Sequence, residues 1–297
     1  MKLKYFVVIF LSLMACRKTI NYKIPNKQKI LVVNSVLIND SFIAIELSQT
    51  QGITDNVPNI TINDALISIY DKDTNLIEEL SNSGNGRYLS LINKGIEMKF
   101  YIAKISIQNS QYWVSDSIPQ KSISIVKDTS RSLFLGRPNY FNIDYKIKDI
   151  QNITNNYGLR VKRFFEKYQT INSIIDTAYI EEWLIIDTKD FILTENEITQ
   201  FSKEQLLFND RNFNNTEIEV KFGNANLFNQ KSQKTLKLII YLEQYSISGF
   251  EYYRSLNEHL FYQNDPFSQP SALKGNVHNA YGAFVGKSIK ADTIKFY

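Results

Sequence analysis

The chain has 297 residues, 43% of them hydrophobic and 13% aromatic, which is enough apolar material for real cores and excludes global disorder. Its formal charge is +4, and removing Lys2 and Lys4 with a leader leaves +2, so with no long basic run the composition argues against a nucleic-acid binder. The single cysteine, Cys16, excludes an intramolecular disulfide and any cysteine-based metal site.

The first predicted element is a leader. Lys2 and Lys4 make a basic start, and Tyr5 to Met14 is an apolar run of ten residues. A short basic and apolar segment ending in small residues reads as a secretory signal, because a membrane span needs about 20 apolar residues. Leu13-Met14-Ala15-Cys16 reads as a lipobox, with cleavage before Cys16. The expectation is a signal peptide over 1–15 and a lipidated tether over 16–28. Acyl chains such as palmitate contribute about 0.8 kcal/mol per buried CH₂, and more than one chain on Cys16 makes anchoring stable.

From residue 29 the pattern becomes β. ILVVNSVLI (30–38) is rich in β-branched residues, and FIAIELS (42–48) alternates with a two-residue period. ALISIYD (65–71) and LIEEL (76–80) flank the turn Asp71 to Asn75, and Asn82 to Gly86 is a second turn cluster. KFYIAKISI (99–107) and QYWVSDS (111–117) form another hairpin, and SISIV (122–126) follows Pro119. About seven short strands at this spacing suggest an antiparallel sandwich over 29–127.

A second β-rich domain is expected over 130–297, with strands near 142–147, 159–165, 178–187, 216–222 and 235–245. Thr194 and Glu197 have capping-box spacing ahead of Ile198 and Phe201, which predicts a short helix near 195–206. A clearer helix runs from Gly249 to Tyr262. Ser248 and Glu251 fit a capping box there, and Phe250, Tyr253, Leu256 and Leu260 share one arc of about 120°. Asp265-Pro266 ends it, and residues 283–297 look like closing strands.

Several apparent sites dissolve on inspection. Gly282 to Ser288 resembles a phosphate loop but has three residues between the glycines where four are needed, and no helix follows. Asp71, Asp73 and Asn75 begin like a calcium loop, yet Leu76 and Asn82 stand where Gly and Glu are required. His259 and His278 do not form a metal-binding pair. Glu181 and Glu182 are neighbours, so on a strand they point to opposite faces and cannot pair as acid and base. Trp113 and Trp183 sit among apolar residues; core packing is the expectation, and an exposed aromatic platform is the alternative. No catalytic residue, cofactor or metal site is expected.

Three segments in order resemble a family of Bacteroidetes outer-membrane lipoproteins, the domain of unknown function number 4249. They are the anchor followed by ILVVNSVLI, the stretch Leu207 to Asn214 with its Asp210-Arg211 pair, and a third segment. The third runs from FEYYRSLNEHL (250–260) through Asp265 to Pro270, to Gly275-Asn276-Val277-His278-Asn279 and Tyr281-Gly282-Ala283-Phe284. The resemblance implies an immunoglobulin-like or carboxypeptidase-regulatory-like sandwich followed by a second β-rich domain with one or two short helices. It also implies a non-enzymatic accessory or binding partner of a TonB-dependent receptor in nutrient uptake, lipid-anchored in the outer membrane. The alternative is a structural or assembly lipoprotein without a small ligand. Bacteroidetes lipoproteins sent to the cell surface tend to carry acidic residues just after the cysteine. Arg17 and Lys18 stand there instead, which leaves surface-exposed and periplasm-facing positions both open.

Overall fold

The computed structural model describes residues 29–52, 60–134, 137–149, 153–171, 174–188, 204–211, 216–224, 227, 232–263 and 272–296. The leader, Cys16 and the tether lie outside the described residues, as do Thr194 to Phe201 and Asp265-Pro266. The fold is mainly β with several sheets. In chain order the first part contains β1 (Leu31–Ile38), β2 (Phe42–Gln49), β3 (Leu66–Tyr70), β4 (Leu76–Glu79), β5 (Ser81–Gly84), β6 (Arg87–Lys94), β7 (Phe100–Ile107) and β8 (Ser110–Ser117). The later part contains β9 (Ile123–Phe134), β10 (Arg137–Lys148), β11 (Asn156–Ile171), β12 (Ile174–Trp183), β13 (Asp187–Thr188), β14 (Leu206–Asn209), β15 (Glu217–Asn224) and β16 (Gln233–Tyr245). Helix α1 (Ile247–Tyr262) and β17 (Tyr281–Lys295) complete it.

A nine-stranded sheet carries the architecture, in the order β12-β11-β16-β17-β1-β2-β6-β5, with β14 also paired to β11. Two four-stranded sheets, β4-β3-β7-β8 and β13-β15-β10-β9, complete two sandwiches. The first core joins Leu31, Val33, Ile43, Ile45 and Leu47 of the large sheet to Ile67, Ile69, Tyr101 and Ile105. The second joins Leu159, Val161, Leu238, Ile240 and Leu242 to Ile143, Tyr145, Val220 and Phe222. The buried residues alternate along β1 and β2, because successive side chains point to opposite faces.

β17 belongs to both cores. Its first half pairs in parallel with β1, from Val32 opposite Tyr281 to Ile38 opposite Lys287. Its second half pairs antiparallel with β16, from Tyr245 opposite Lys287 to Lys237 opposite Lys295. Phe284 packs in the first core and Ile294 against the second. Ten residues apart on a strand, they share one face, so both small sheets pack on the same side of the large one. The strand also needs its glycines. Gly282 has φ +99°, and a Cβ there would stand 2.0 Å from the Val33 carbonyl oxygen. A Cβ on Gly286 would stand 1.9 Å from that of Ser117, at the point where β8 crosses β17.

The structure departs from the sequence reading in several places. The expected break at 127–130 falls inside β9, and the tail is one strand that serves both halves. Only Asn85-Gly86 of the second turn cluster forms the turn, and it links β5 to β6, neither of which the strand pattern predicted. Leu206 begins a strand rather than ending a helix, because it pairs with Leu159 of β11. Helix α1 starts two residues early: its cap is Ser246, whose Oγ accepts the Gly249 N–H at 3.0 Å, and Ser248 lies within the helix. Leu260 of the expected apolar arc is exposed, while Ser255 and Asn257 are buried.

The Gly286 contact gives a direct test. Gly286→Ala inserts a methyl group against backbone with no flexible side chain to yield, so about 1–3 kcal/mol of stability should be lost. Thermal unfolding followed by circular dichroism reads the loss; an unchanged melting temperature contradicts the close approach.

Candidate functional site

Buried polar groups are concentrated where the two sandwiches meet. Asp116 of β8 accepts the Ser246 hydroxyl at 2.6 Å and the Gly286 N–H at 3.0 Å, so one carboxylate ties the first sandwich to the α1 cap and to β17. Burial pushes this carboxyl up, opposed by bonds from Ser246, Ser117 and Gly286. Ser122 donates to Gln244 at 2.5 Å, and Gln244 donates onward to Asn155. Asn155 in turn donates to Asp149 at 3.0 Å and Asp210 at 3.1 Å. Asn276 uses both amide ends on Phe284, accepting its N–H at 2.9 Å and donating to its carbonyl at 2.7 Å. Asn155, Asp210 and Asn276 all fall in or against the motif segments of the sequence, so these motifs read as structural.

Beneath α1 lies a buried ion pair. Lys287 Nζ is 2.7 Å from Glu243 Oε1, and both side chains are at least nine-tenths buried. Tyr245 Oη and Gln205 Nε2 donate to the other Glu243 oxygen, the latter at 2.9 Å. Burial drives the Tyr245 phenol well above its usual value, and the Glu243 charge adds to the shift. The group is fully paired, so its role is to hold α1, β16 and β17 together.

The outward face of the same sheet has a different chemistry. On β11, Leu159, Val161 and Phe165 point into the core, which turns Arg160, Lys162 and Phe164 outward. Register brings Trp183 of β12 opposite Lys162, Tyr241 of β16 opposite Arg160, and Lys237 opposite Phe164. The Arg160 guanidinium lies 3.6 Å from the Trp183 ring centre, Lys162 Nζ 5.3 Å from it, and Lys237 Nζ 4.5 Å from that of Phe164. Trp183 meets Tyr241 edge-on at 5.5 Å. The residues of this aromatic–cation face are half-buried, and Tyr179 further along β12 is exposed. Stacked guanidinium and indole offer apolar area with pre-placed donors, which suits a macromolecular surface. A separate open groove of about 390 Å³ lies at the start of β1, between Lys29, Tyr112, Asn279 and Tyr281.

A third feature is a braced carboxylate. Glu78 of β4 accepts the backbone N–H groups of Leu91 at 2.7 Å, Ile92 at 3.2 Å and Asn93 at 3.0 Å. The Ser90 hydroxyl and Asn93 amide add 2.5 and 2.8 Å bonds. Partial burial pushes this carboxyl up, but the donated bonds outweigh it and bring it down to about 2.

The residues singled out in the sequence are scattered. Cys16 lies outside the described residues. Asp71 accepts the N–H groups of Asp73 and Asn75, both at 2.9 Å, and caps its hairpin turn. Among the described residues no group of three or more His, Cys, Asp or Glu side chains could hold a metal ion. Gly282 to Ser288 is extended strand rather than a loop. Glu181 and Glu182 do face apart, toward Lys162 at 2.6 Å and Arg163 at 3.0 Å. His259 lies in the last turn of α1 and His278 in an exposed turn. The core expectation for the tryptophans is overturned: Trp113 is 48% exposed beneath Lys104, and Trp183 is a half-buried surface residue. The alternation in LRVKRFF was the signal for the aromatic–cation face, but the partners on β12 and β16 needed the register. Glu78 gave no sequence signal, because its partners lie 12 to 15 residues away.

Two measurements check these networks. Glu243→Gln strands the buried Lys287 ammonium and should cost about 3–5 kcal/mol, most of it recovered in a Glu243→Gln, Lys287→Met double variant. Equal losses in chemical denaturation of the two variants contradict the pairing. The folded-state pKa of Glu78 is depressed, so its stabilisation is full above the unfolded carboxyl value and is lost as pH falls toward about 2. Glu78→Gln should therefore be less stable than the parent at pH 7, with the gap closing on acidification. A gap independent of pH contradicts the assignment.

No curated protein matches this chain. Among solved structures it is similar to a point mutant of Salmonella alpha-2-macroglobulin, at 8% identity and a TM-score of 0.21. That match spans 91% of this chain and 15% of the other, and a score so low carries no argument about fold or function. Among the described residues no helix is long and apolar enough to cross a membrane. The family model described as a domain of unknown function (DUF4249) matches residues 17–292, nearly the whole length, and the chain belongs to that family.

Proposed function

We propose that the chain is an outer-membrane lipoprotein held by acylated Cys16, and that its two-sandwich body is a non-enzymatic accessory partner of a TonB-dependent receptor in nutrient uptake. The leader and lipobox support the anchor. The observation that carries the partner role is the half-buried aromatic–cation face, with Arg160 stacked 3.6 Å from Trp183 on a sheet whose other side is packed. Arg and Trp are the residue types that dominate binding energy at protein interfaces, and a sheet face suits a protein surface better than a small ligand. The groove at the start of β1, lined by Tyr112 and Tyr281, includes none of the residues of this face.

Affinity purification from detergent-solubilised, crosslinked cells tests the reading. A large outer-membrane β-barrel should co-purify, and Trp183→Ala should lower its recovery several-fold while its circular dichroism spectrum still matches that of the parent. Extensive crosslinking in intact cells that recovers no barrel overturns the partner role. Metabolic labelling with palmitate should mark the parent protein and not Cys16→Ser; equal labelling overturns the anchor. Protease shaving of intact cells reads which side the body occupies, the question raised by Arg17 and Lys18.

A further inference from the structure

The end of β6 carries an apolar projection. Leu91 is 68% exposed, Ile92 80%, Ile96 56% and Met98 67%, and Phe42 of the adjacent β2 stands beside them at 50%. Single exposed apolar residues are ordinary, but a contiguous set marks a contact surface.

The projection is built rather than frayed. Pairing of β6 with β2 breaks after Leu89 and resumes only at Lys94, opposite Phe42. In the gap, three successive N–H groups turn onto Glu78 instead of onto the neighbouring strand. Further on, Ile96 N–H donates to the Tyr101 hydroxyl at 2.9 Å and Met98 N–H to the Ile118 carbonyl at 2.8 Å. The backbone is thus fixed at both apolar pairs while their side chains face solvent.

The shape favours a fluid partner. Leu91 and Ile92 are consecutive, so they project in different directions, and a rigid partner would need a cleft that takes both. A lipid headgroup layer surrounds both without such a fit. Lys94 Nζ lies 5.2 Å over the Phe42 ring and Lys99 Nζ 5.6 Å over that of Tyr101, so two ammonium groups stand among the apolar side chains, with the exposed Asp40 carboxylate beside Gly95. Lysines beside exposed apolar side chains match the interfacial arrangement in which ammonium groups sit at phosphate level. The chain length fits as well. Thirteen residues from Cys16 to Lys29 span up to roughly 45 Å. β1, which runs from that end toward the Asn39–Gly95 bridge beside the projection, is roughly 27 Å long.

We propose that residues 91–98, with Phe42, form a membrane-contacting tip that seats Leu91 and Ile92 in the headgroup region of the bilayer holding Cys16. This rests on the lipid-anchor part of the function proposed above, and the test separates the two. Cys16 is the only cysteine and is taken up by acylation, so Ile92→Cys supplies the one free thiol for an environment-sensitive nitrobenzoxadiazole dye. The lipidated full chain is mixed with vesicles of phosphatidylethanolamine and phosphatidylglycerol, alongside a control labelled through Tyr179→Cys on exposed β12.

The expected result is flotation of both proteins with the vesicles. Only the Ile92 label should show a blue shift and a several-fold rise in emission, quenched by nitroxide lipids. A Leu91→Ser variant labelled through Ile92→Cys should lose most of that rise with an unchanged melting temperature. Flotation without a blue shift overturns the tip and leaves the anchor standing. Failure to float overturns the anchor reading and the tip with it. A shift seen in native outer-membrane fragments but not in pure lipid assigns the tip to a protein neighbour and overturns the proposal.

Discussion

β17 enters both cores, and the rest of the structure depends on that sharing. Its parallel pairing with β1 joins residues about 250 positions apart, so the chain closes on itself late, after a long loop-closure cost. Burying an aromatic such as Phe284 returns about 1.5–3 kcal/mol, and the polar seam supplies direction. Asp116, Ser246 and Gly286 specify one crossing of β8, α1 and β17, because any shift would leave a buried carboxylate unmatched. Gly286 allows the backbones to approach, and Asn276 holds Phe284 by both backbone groups.

This sharing sets what the surface can present. Because β17 links the two halves within one sheet, the aromatic–cation face near β12 and the braced tip near β6 lie toward opposite ends of the same nine-stranded sheet. Side chains offered by such a sheet are held at fixed spacing with little entropy left to lose, which is how modest patches become selective contacts. A body of this kind can touch two neighbours at once. In the proposed reading those neighbours are a barrel protein and the lipid around it.

Much of the fold was legible because strand alternation is a local signal. Residues 30–38, 42–48 and 235–245 announce their strands through β-branched content and a two-residue period. β5 was missed because Ser81–Gly84 carries no apolar residue, and β6 because the Glu78 nest breaks its pairing with β2 and leaves Leu91 and Ile92 adjacent and exposed, which no alternation rule anticipates. The α1 cap was misplaced because Ser248 has capping-box spacing, while Ser246 also has a partner in Asp116, 130 residues earlier. The two-part division read from length and strand pattern could not show that one closing strand serves both cores, since pairing between distant strands leaves no mark on either segment alone. Trp113 and Trp183 were read as core for a similar reason: their neighbours in sequence are apolar, but their neighbours in space are Lys104, Lys162 and Arg160.

Differential scanning calorimetry of the full chain, analysed for the ratio of calorimetric to van't Hoff enthalpy, tests the shared-strand account most directly. A strand common to both cores and a buried seam between them predict one cooperative transition with a ratio close to one. Two resolved transitions, with the first sandwich unfolding while the second stays intact, would contradict it.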